Sequence, residues 1–282
     1  MSEPEILRYA AFTEDPAGGN PAGVVLDASG LDDEAMQRIA AEVDYAETAF
    51  VLGVEGAARR IRYFSPIAEV PFCGHATIAT AVALAEREGA GTFRFATPVG
   101  EVVIETDASD ERVHATFTSV DPAVEAFDDV ILDEVLNLLH LTRGDLDDRY
   151  PPRIAFAGNR HPVLVLADAT VFDAFTFSPV AVRSIMDSQG WAGTISVLHL
   201  VGETTWEARN LFPVGRITED PATGSAAAAL GGYLRELGLV DPPAEVVIHQ
   251  GRHIGRPSVL AVAIPARGGI RVSGTAVAID AA

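Results

Sequence analysis

Lysine is absent from this chain: all 20 basic residues are arginine, set against 40 acidic ones, for a formal net charge of -20 over 282 residues. That absence removes whole mechanisms. A pyridoxal-phosphate enzyme and a lysine aldolase each need a Schiff-base lysine, and a phosphate-cradling G-x-x-x-x-G-K-[ST] loop needs its own. No G-x-G-x-x-G follows a strand-like segment either, so the chemistry is expected to use side chains and no organic cofactor. The acidic excess argues against nucleic-acid or anionic-membrane partners, because phosphate contacts need clustered Arg and Lys. A single cysteine, Cys73, rules out a disulfide framework and makes a cytoplasmic location the default. No apolar run approaches the ~20 residues of a membrane span, and the N-terminus lacks a basic-then-apolar signal pattern.

What is present says the same thing twice. Arg62-Tyr63-Phe64-Ser65-Pro66 leads through a short linker into Cys73-Gly74-His75-Ala76-Thr77 and an Ala-rich stretch. Arg209-Asn210-Leu211-Phe212-Pro213 leads through a similar linker into Thr223-Gly224-Ser225-Ala226-Ala227 and a second Ala-rich stretch. Each copy reads as a strand, a loop and a helix, Gly74 to Glu88 and Ser225 to Leu237. A helix apolar nearly all round is buried on most sides, so strands are expected to wrap each one. Further echoes keep the same order: Gly19-Asn20 before Val24 to Leu26 matches Gly158-Asn159 before Val163 to Leu166, and Gly100 to Ile104 matches Gly255 to Leu260. The pattern predicts duplication of one α+β domain, divided as 1–120 and 121–282, with a return of the last strand to the first domain left open. The junction is expected in the acidic stretch Ser119 to Phe127, and Glu14 to Ala22 reads as a turn cluster.

Both helix starts carry candidate chemistry. Unpaired N–H groups of a first turn, with the helix dipole, make an anion site, and Gly74 and Gly224 allow close approach. His75 can donate to a substrate carboxylate or act as a general acid, or simply pack beneath its loop. Cys73 can be a thiol activated by the helix start or merely a buried one. Asp220 precedes the second start, where ordinary capping by Thr223 or Ser225 is the plainer account. Glu47 sits in Asp44-Tyr45-Ala46-Glu47-Thr48-Ala49-Phe50, at the entry to an apolar strand. Buried there, its carboxylate would be pushed toward a general base, although spacing alone favours a solvated position. The spacing of His249 and His253 suggests a metal, but Gly251 and the strand pattern argue against one, so no metal is expected.

Taken in order, these motifs resemble the PhzF-like proteins, the phenazine-biosynthesis isomerase family, similar in fold to diaminopimelate epimerase and proline racemase. The resemblance covers essentially the whole chain. It rests on Phe12 through Gly19-Asn20-Pro21, Glu47 to Val51, Pro71 to His75, Glu219 to Ala226, His249-Gln250-Gly251 and Gly255 to Ser258. It implies an α+β fold of two similar domains, each a mixed sheet or barrel around a central helix, with the site in the cleft between them. It implies Glu47 as the base that abstracts and relocates a substrate proton, with His75 and Asp220 assisting. Asn20, Cys73, Gly74, Thr223, Gly224 and Ser225 would hold the substrate. A homodimer is also implied. The racemase branch uses a cysteine at each helix start, whereas here Cys73 meets Thr223, which disfavours two-thiol racemisation.

The expectation is therefore a cofactor-independent isomerase acting on a small carboxylate-bearing metabolite by general acid/base catalysis. Two alternatives stay open: a dehydratase or epimerase of an amino or hydroxy acid that uses Cys73, and a metabolite-binding protein without turnover.

Overall fold

The computed structural model describes residues 4–109, 112–213 and 217–280. The chain forms two compact units, residues 1–118 with 273–282, and residues 119–272.

In the first unit the chain runs β1 (Leu7–Ala11), β2 (Asn20–Val25), α1 (Asp33–Val43), β3 (Glu47–Glu55), β4 (Ala58–Phe64) and β5 (Glu69–Val70). It continues as α2 (Gly74–Glu88), β6 (Thr92–Thr97), β7 (Gly100–Ser109) and β8 (Arg112–Thr118). The second unit contains β9 (Ala123–Ala126), α3 (Asp129–Leu138), β10 (Arg153–Phe156), β11 (Arg160–Val165), α4 (Ala169–Ala174) and α5 (Pro179–Gln189). It goes on through β12 (Ile195–Leu200), β13 (Thr205–Leu211), β14 (Glu219–Asp220), α6 (Gly224–Glu236), β15 (Ala244–Gln250) and β16 (Ser258–Ile264), and β17 (Arg271–Ala278) follows.

The first unit closes on itself. Its strands pair in the order β1, β2, β3, β4, β6, β7, β8, β17, and β17 pairs back onto β1 through Tyr9↔Ala278 and Ala11↔Ala276. A closed barrel leaves no open sheet edge. Its interior is filled by α2, which is buried without a break from His75 to Ala85 and touches β1, β2, β3, β7 and β8. Alanines dominate that helix because a backbone enclosed by strands on every side has no room for larger residues. Outside the barrel, Met36, Ile39, Ala40 and Val43 of α1 pack on Val25, Phe50 and Phe64.

The second unit repeats the plan, with strands in the order β9, β10, β11, β12, β13, β15, β16 and α6 packed against β9, β10, β11 and β16. Its sheet carries a second core on the other face. Leu132, Val135 and Leu136 of α3, Phe172 of α4, and Val182, Ile185 and Met186 of α5 cover Ile154, Leu164, Ile195, Val197 and Leu211. Strands covered on both faces read as continuous apolar runs.

One expectation needs correction. The turn cluster Glu14 to Ala22 ends early, because β2 starts at Asn20 and pairs with β1 through Ala11↔Asn20 and Ala10↔Pro21. Pro21 is tolerated because pairing of β2 with β3 begins only at Ala22↔Glu47. The division between the two units falls at Ser119, the first residue of the acidic stretch Ser119 to Phe127, and the rest of that stretch holds β9, which pairs with β10. Among the described residues no helix is long and apolar enough to cross a membrane.

Candidate active site

Each central helix is introduced by the same hairpin. β4 meets the two-residue β5 through Tyr63↔Val70 and Phe64↔Glu69. β13 meets the two-residue β14 through Asn210↔Asp220 and Leu211↔Glu219. An arginine on the longer strand clasps the glutamate of the shorter one in both copies. Arg62 holds Glu69 with contacts of 2.7 Å to each oxygen, and Arg209 holds Glu219 at 2.5 and 3.2 Å. Such bidentate pairs fix geometry as well as charge. The chain then turns into Gly74 or Gly224 and the helix begins.

These two starts differ from the other helix starts in one respect. Asp32, Asp128, Asp168 and Ser178 cap α1, α3, α4 and α5 by accepting first-turn N–H groups. Cys73 and Thr223, which occupy the N-cap positions of α2 and α6, make no side-chain cap. The capping role expected of Thr223 is thus not filled: its hydroxyl donates to Asp220 Oδ2 instead, at 2.6 Å. First-turn N–H groups without a side-chain cap, at a positive dipole end, suit an anionic ligand.

At the α2 start three reactive side chains converge. Glu47 Oε2, at the first residue of β3, lies 3.4 Å from Cys73 Sγ and 3.5 Å from His75 Nε2. Cys73 Sγ lies 3.3 Å from His75 Nδ1. Cys73 and His75 are buried, whereas the Glu47 side chain keeps 21% of its surface exposed. Glu47 is therefore neither sealed in nor freely solvated. Burial pushes the His75 pKa down, opposed by the Glu47 carboxylate and a hydrogen bond with the Pro21 backbone. The imidazole is accordingly neutral at neutral pH. Beneath this cluster Thr77 Oγ1 donates to the Cys73 carbonyl at 2.6 Å, and the Tyr63 hydroxyl donates to Thr77 Oγ1 at 2.7 Å.

At the α6 start the side chains are fixed by a buried network. The Thr223 N–H donates to Gln250 Oε1 at 3.2 Å, and Gln250 Nε2 donates to the Asp220 carbonyl at 2.6 Å and to Thr223 Oγ1 at 2.9 Å. Those two backbone groups settle which way the Gln250 amide faces. Asn210 must then present Nδ2 to Gln250 Oε1, at 2.8 Å, and its Oδ1 accepts from Thr194 Oγ1 at 2.8 Å and Ser196 Oγ at 2.6 Å. His161 closes the far end, with Nδ1 beside Thr194 and Nε2 3.0 Å from Ser225 Oγ. Burial pushes the His161 pKa down to about 4. His161, Thr194, Ser196, Asn210 and Gln250 are all buried, while Asp220 and Ser225 are partly exposed.

The structure thus brings Glu47, Cys73 and His75 into one cluster, with Asn20 buried at the start of β2 beside the Pro21 that bonds His75. It joins Thr223 to Asp220 directly and ties Ser225 to His161. Sequence reasoning carried Tyr63, Thr77, Asn210 and Gln250 inside its motifs without giving them a role, and it passed over His161 and Thr194. The available signal was a polar residue on a buried strand face, as with His161 inside β11. One donor atom each of Glu47, Cys73 and His75 lies within 4.8 Å of the others, close enough to share a cation. His249 is exposed, and His253 bonds Asp173 at 3.1 Å.

Residues 9–282 match the family model for phenazine biosynthesis-like proteins, PhzC-PhzF. A relative in Escherichia coli K12, called uncharacterized isomerase YddE, is 32% identical over 98% of this chain and 96% of its own. The trans-2,3-dihydro-3-hydroxyanthranilate isomerase of Pseudomonas chlororaphis is 32% identical, over 89% of this chain and 86% of its own. Among solved structures, a PhzF-family protein of Bacillus anthracis superposes with a TM-score of 0.86 at 28% identity, over 99% of this chain and 98% of that one. A hydroxyproline epimerase of Agrobacterium vitis shares the fold, with a TM-score of 0.65 at 12% identity over 98% of this chain and 90% of that one.

Proposed function

The chain belongs to the phenazine biosynthesis-like family, and from that premise we propose that it is an isomerase that relocates a proton on a small carboxylate-bearing metabolite. The observation that carries the reading is the cluster at the α2 start. Glu47 is a partly exposed carboxylate, 3.5 Å from a neutral buried imidazole and 3.4 Å from a thiol, at a helix start with no side-chain cap. As carboxylate, Glu47 takes a proton from a substrate C–H and becomes the carboxylic acid. It delivers a proton at another carbon after exchange with solvent through its partly exposed face, so in ordinary water substrate and product have the same mass and the enzyme ends as it began. His75 assists as a neutral imidazole 3.5 Å from Glu47 Oε2, its one N–H held by the Pro21 backbone carbonyl, while charge that builds on the substrate meets the first-turn N–H groups of α2, pre-placed where donors act most strongly. The proposal gives Asp220 a share in proton movement. It gives Asn20, Cys73, Thr223, Ser225 and the Gly74 and Gly224 N–H groups the substrate's polar ends.

The compound named for the Pseudomonas relative, trans-2,3-dihydro-3-hydroxyanthranilate, is the first substrate to try. Transfer in D₂O followed by NMR, with wild type beside Glu47→Gln, tests the assignment on that compound and on a panel of small carboxylic acids. Unchanged turnover by Glu47→Gln would remove Glu47 from the base role.

A second reading has a specific observation behind it: Cys73 Sγ lies 3.3 Å from His75 Nδ1, so the thiol has a base of its own at hand. Dehydration or epimerisation through Cys73 predicts loss of activity in Cys73→Ser and survival in Glu47→Gln, the reverse of the leading proposal.

A further inference from the structure

His161 is buried to 0% exposure, belongs to none of the motifs discussed above, and reaches the helix start by a hydrogen bond, Nε2 to Ser225 Oγ at 3.0 Å. We propose that His161 is a positioning residue, held as the Nε2–H tautomer, that donates to Ser225 Oγ and so turns the Ser225 hydroxyl proton outward as a donor for an oxyanion or carbonyl oxygen of the substrate. The inference rests on the reading of Ser225 as a substrate contact.

The argument starts from the other ring nitrogen. Nδ1 faces three atoms of Thr194: the backbone N–H at 3.0 Å, Oγ1 at 3.0 Å and the carbonyl at 3.2 Å. Two protonation patterns are open. If Nδ1 carries the proton, the Thr194 N–H points at another N–H and a buried backbone donor is left unsatisfied. If Nδ1 is bare, it accepts from that N–H, and the cost falls only on Oγ1 and carbonyl lone pairs. Orphaned buried N–H groups are far rarer than under-used acceptors, because a donor has one proton to place and an oxygen has two lone pairs. Thr194 Oγ1 cannot supply the missing donor, since its proton goes to Asn210 Oδ1. The bare Nδ1 follows, and a neutral imidazole then holds its one proton on Nε2.

The site is built for that ring. A Cβ on Gly193 would lie 2.7 Å from His161 Cε1, 2.8 Å from Nδ1 and 2.5 Å from the Arg160 carbonyl, so the residue before Thr194 has to be glycine for the imidazole to lie where it does. The orientation of the rest of the network is set independently, from the Thr223 N–H and the Asp220 carbonyl through Gln250 and Asn210. Both partly exposed side chains of the α6 start are therefore aimed by the same buried scaffold. Thr223 donates to Asp220 Oδ2, keeping that oxygen an acceptor, and His161 donates to Ser225, making its hydroxyl a donor toward the outside.

The decisive experiment needs no ligand. Long-range ¹H–¹⁵N spectra of the full chain, labelled with ¹⁵N-histidine, report which nitrogen of His161 is protonated, with His161→Gln identifying the signal. The expected result is the Nε2–H pattern, unchanged between about pH 5.5 and 8, and retained in Ser225→Ala because Thr194 sets it. An Nδ1–H pattern, a charged ring in that range, or a tautomer that switches in Ser225→Ala overturns the proposal. The functional arm uses trans-2,3-dihydro-3-hydroxyanthranilate. Ser225→Ala and His161→Leu should each raise KM about 5- to 20-fold, the double variant should be no worse than either alone, and His161→Gln, which keeps a donor near the Nε2 position, should recover most of the loss. Multiplying effects in the double variant contradict the positioning role. Unchanged KM in Ser225→Ala instead contradicts the reading of Ser225 as a substrate contact, and failure of wild type to turn the compound over falls on the proposed function. In both cases the spectra judge His161 by themselves.

Discussion

The two helix starts share a backbone and differ in what surrounds it. At α2 the reactive groups face one another directly: Glu47, Cys73 and His75 lie within 3.3–3.5 Å, and two of the three are buried. At α6 the partly exposed groups Asp220 and Ser225 are each bonded to a neutral, buried partner, Thr223 and His161. The Arg–Glu clasp shows the same divergence. Arg62 and Glu69 are partly exposed, and Arg62 also reaches Asp33. Arg209 and Glu219 are buried, and Arg209 further donates to the Phe172 and Phe175 carbonyls and stacks 3.8 Å above the Phe175 ring. On the proposed reading the repeated scaffold is specialised, with one start moving a proton and the other holding groups still.

The largest effect expected from breaking that contrast is on catalysis. Glu47→Gln should lower turnover by roughly 10²- to 10⁴-fold, the usual share of a general base, while Ser225→Ala should act mainly on KM; steady-state kinetics separates the two. The clasps give the next test. Arg209→Met leaves Glu219 charged and unpaired in the interior, at a cost of about 3–5 kcal/mol, whereas Arg62→Met should cost under about 1 kcal/mol. Denaturant unfolding of the two variants measures the difference, and equal losses would mean that the two clasps are equivalent.

Acid should act through the histidines. His161 is held down to about 4 from an ordinary value of 6.5, and burial lowers His75 as well. The unfolded chain binds protons on these rings before the folded chain does. Their contribution is complete above about pH 6.5 and is lost as the pH falls toward the folded values. For His161 that contribution is about 3 kcal/mol. His161→Gln should therefore flatten part of the decline in stability between pH 6.5 and 4, read from melting temperatures across that range. A smaller loss is expected from Gln250→Leu, which removes the acceptor of the buried Thr223 N–H and Asn210 Nδ2 and should cost about 1–3 kcal/mol.

The repeat was legible because it is local. A bulky strand, a short linker, a helix-start glycine and an Ala-rich helix fall within some 25 consecutive residues, and small residues in a helix apolar all round have few explanations other than enclosure. The cluster at α2 was legible in its parts, since Cys73 and His75 flank Gly74. Glu47 was a candidate from its place at the entry to an apolar strand, and the family resemblance, not its spacing, singled it out as the base. The network at α6 was hidden by distance along the chain: His161 lies 64 residues from Ser225, and Asn210 lies 40 from Gln250. Each is an ordinary polar residue until the sheet brings its neighbours together. The start of β2 was misread for a related reason, because pairing of Asn20 and Pro21 with β1 overrides the turn preference of their local sequence.

The most direct test of the central claim, that the α2 start moves the proton, is solvent-deuterium incorporation from D₂O into trans-2,3-dihydro-3-hydroxyanthranilate or its product. Wild type and Ser225→Ala should both incorporate deuterium, and Glu47→Gln should still bind the compound but incorporate none. Incorporation by Glu47→Gln at the wild-type rate would contradict the account.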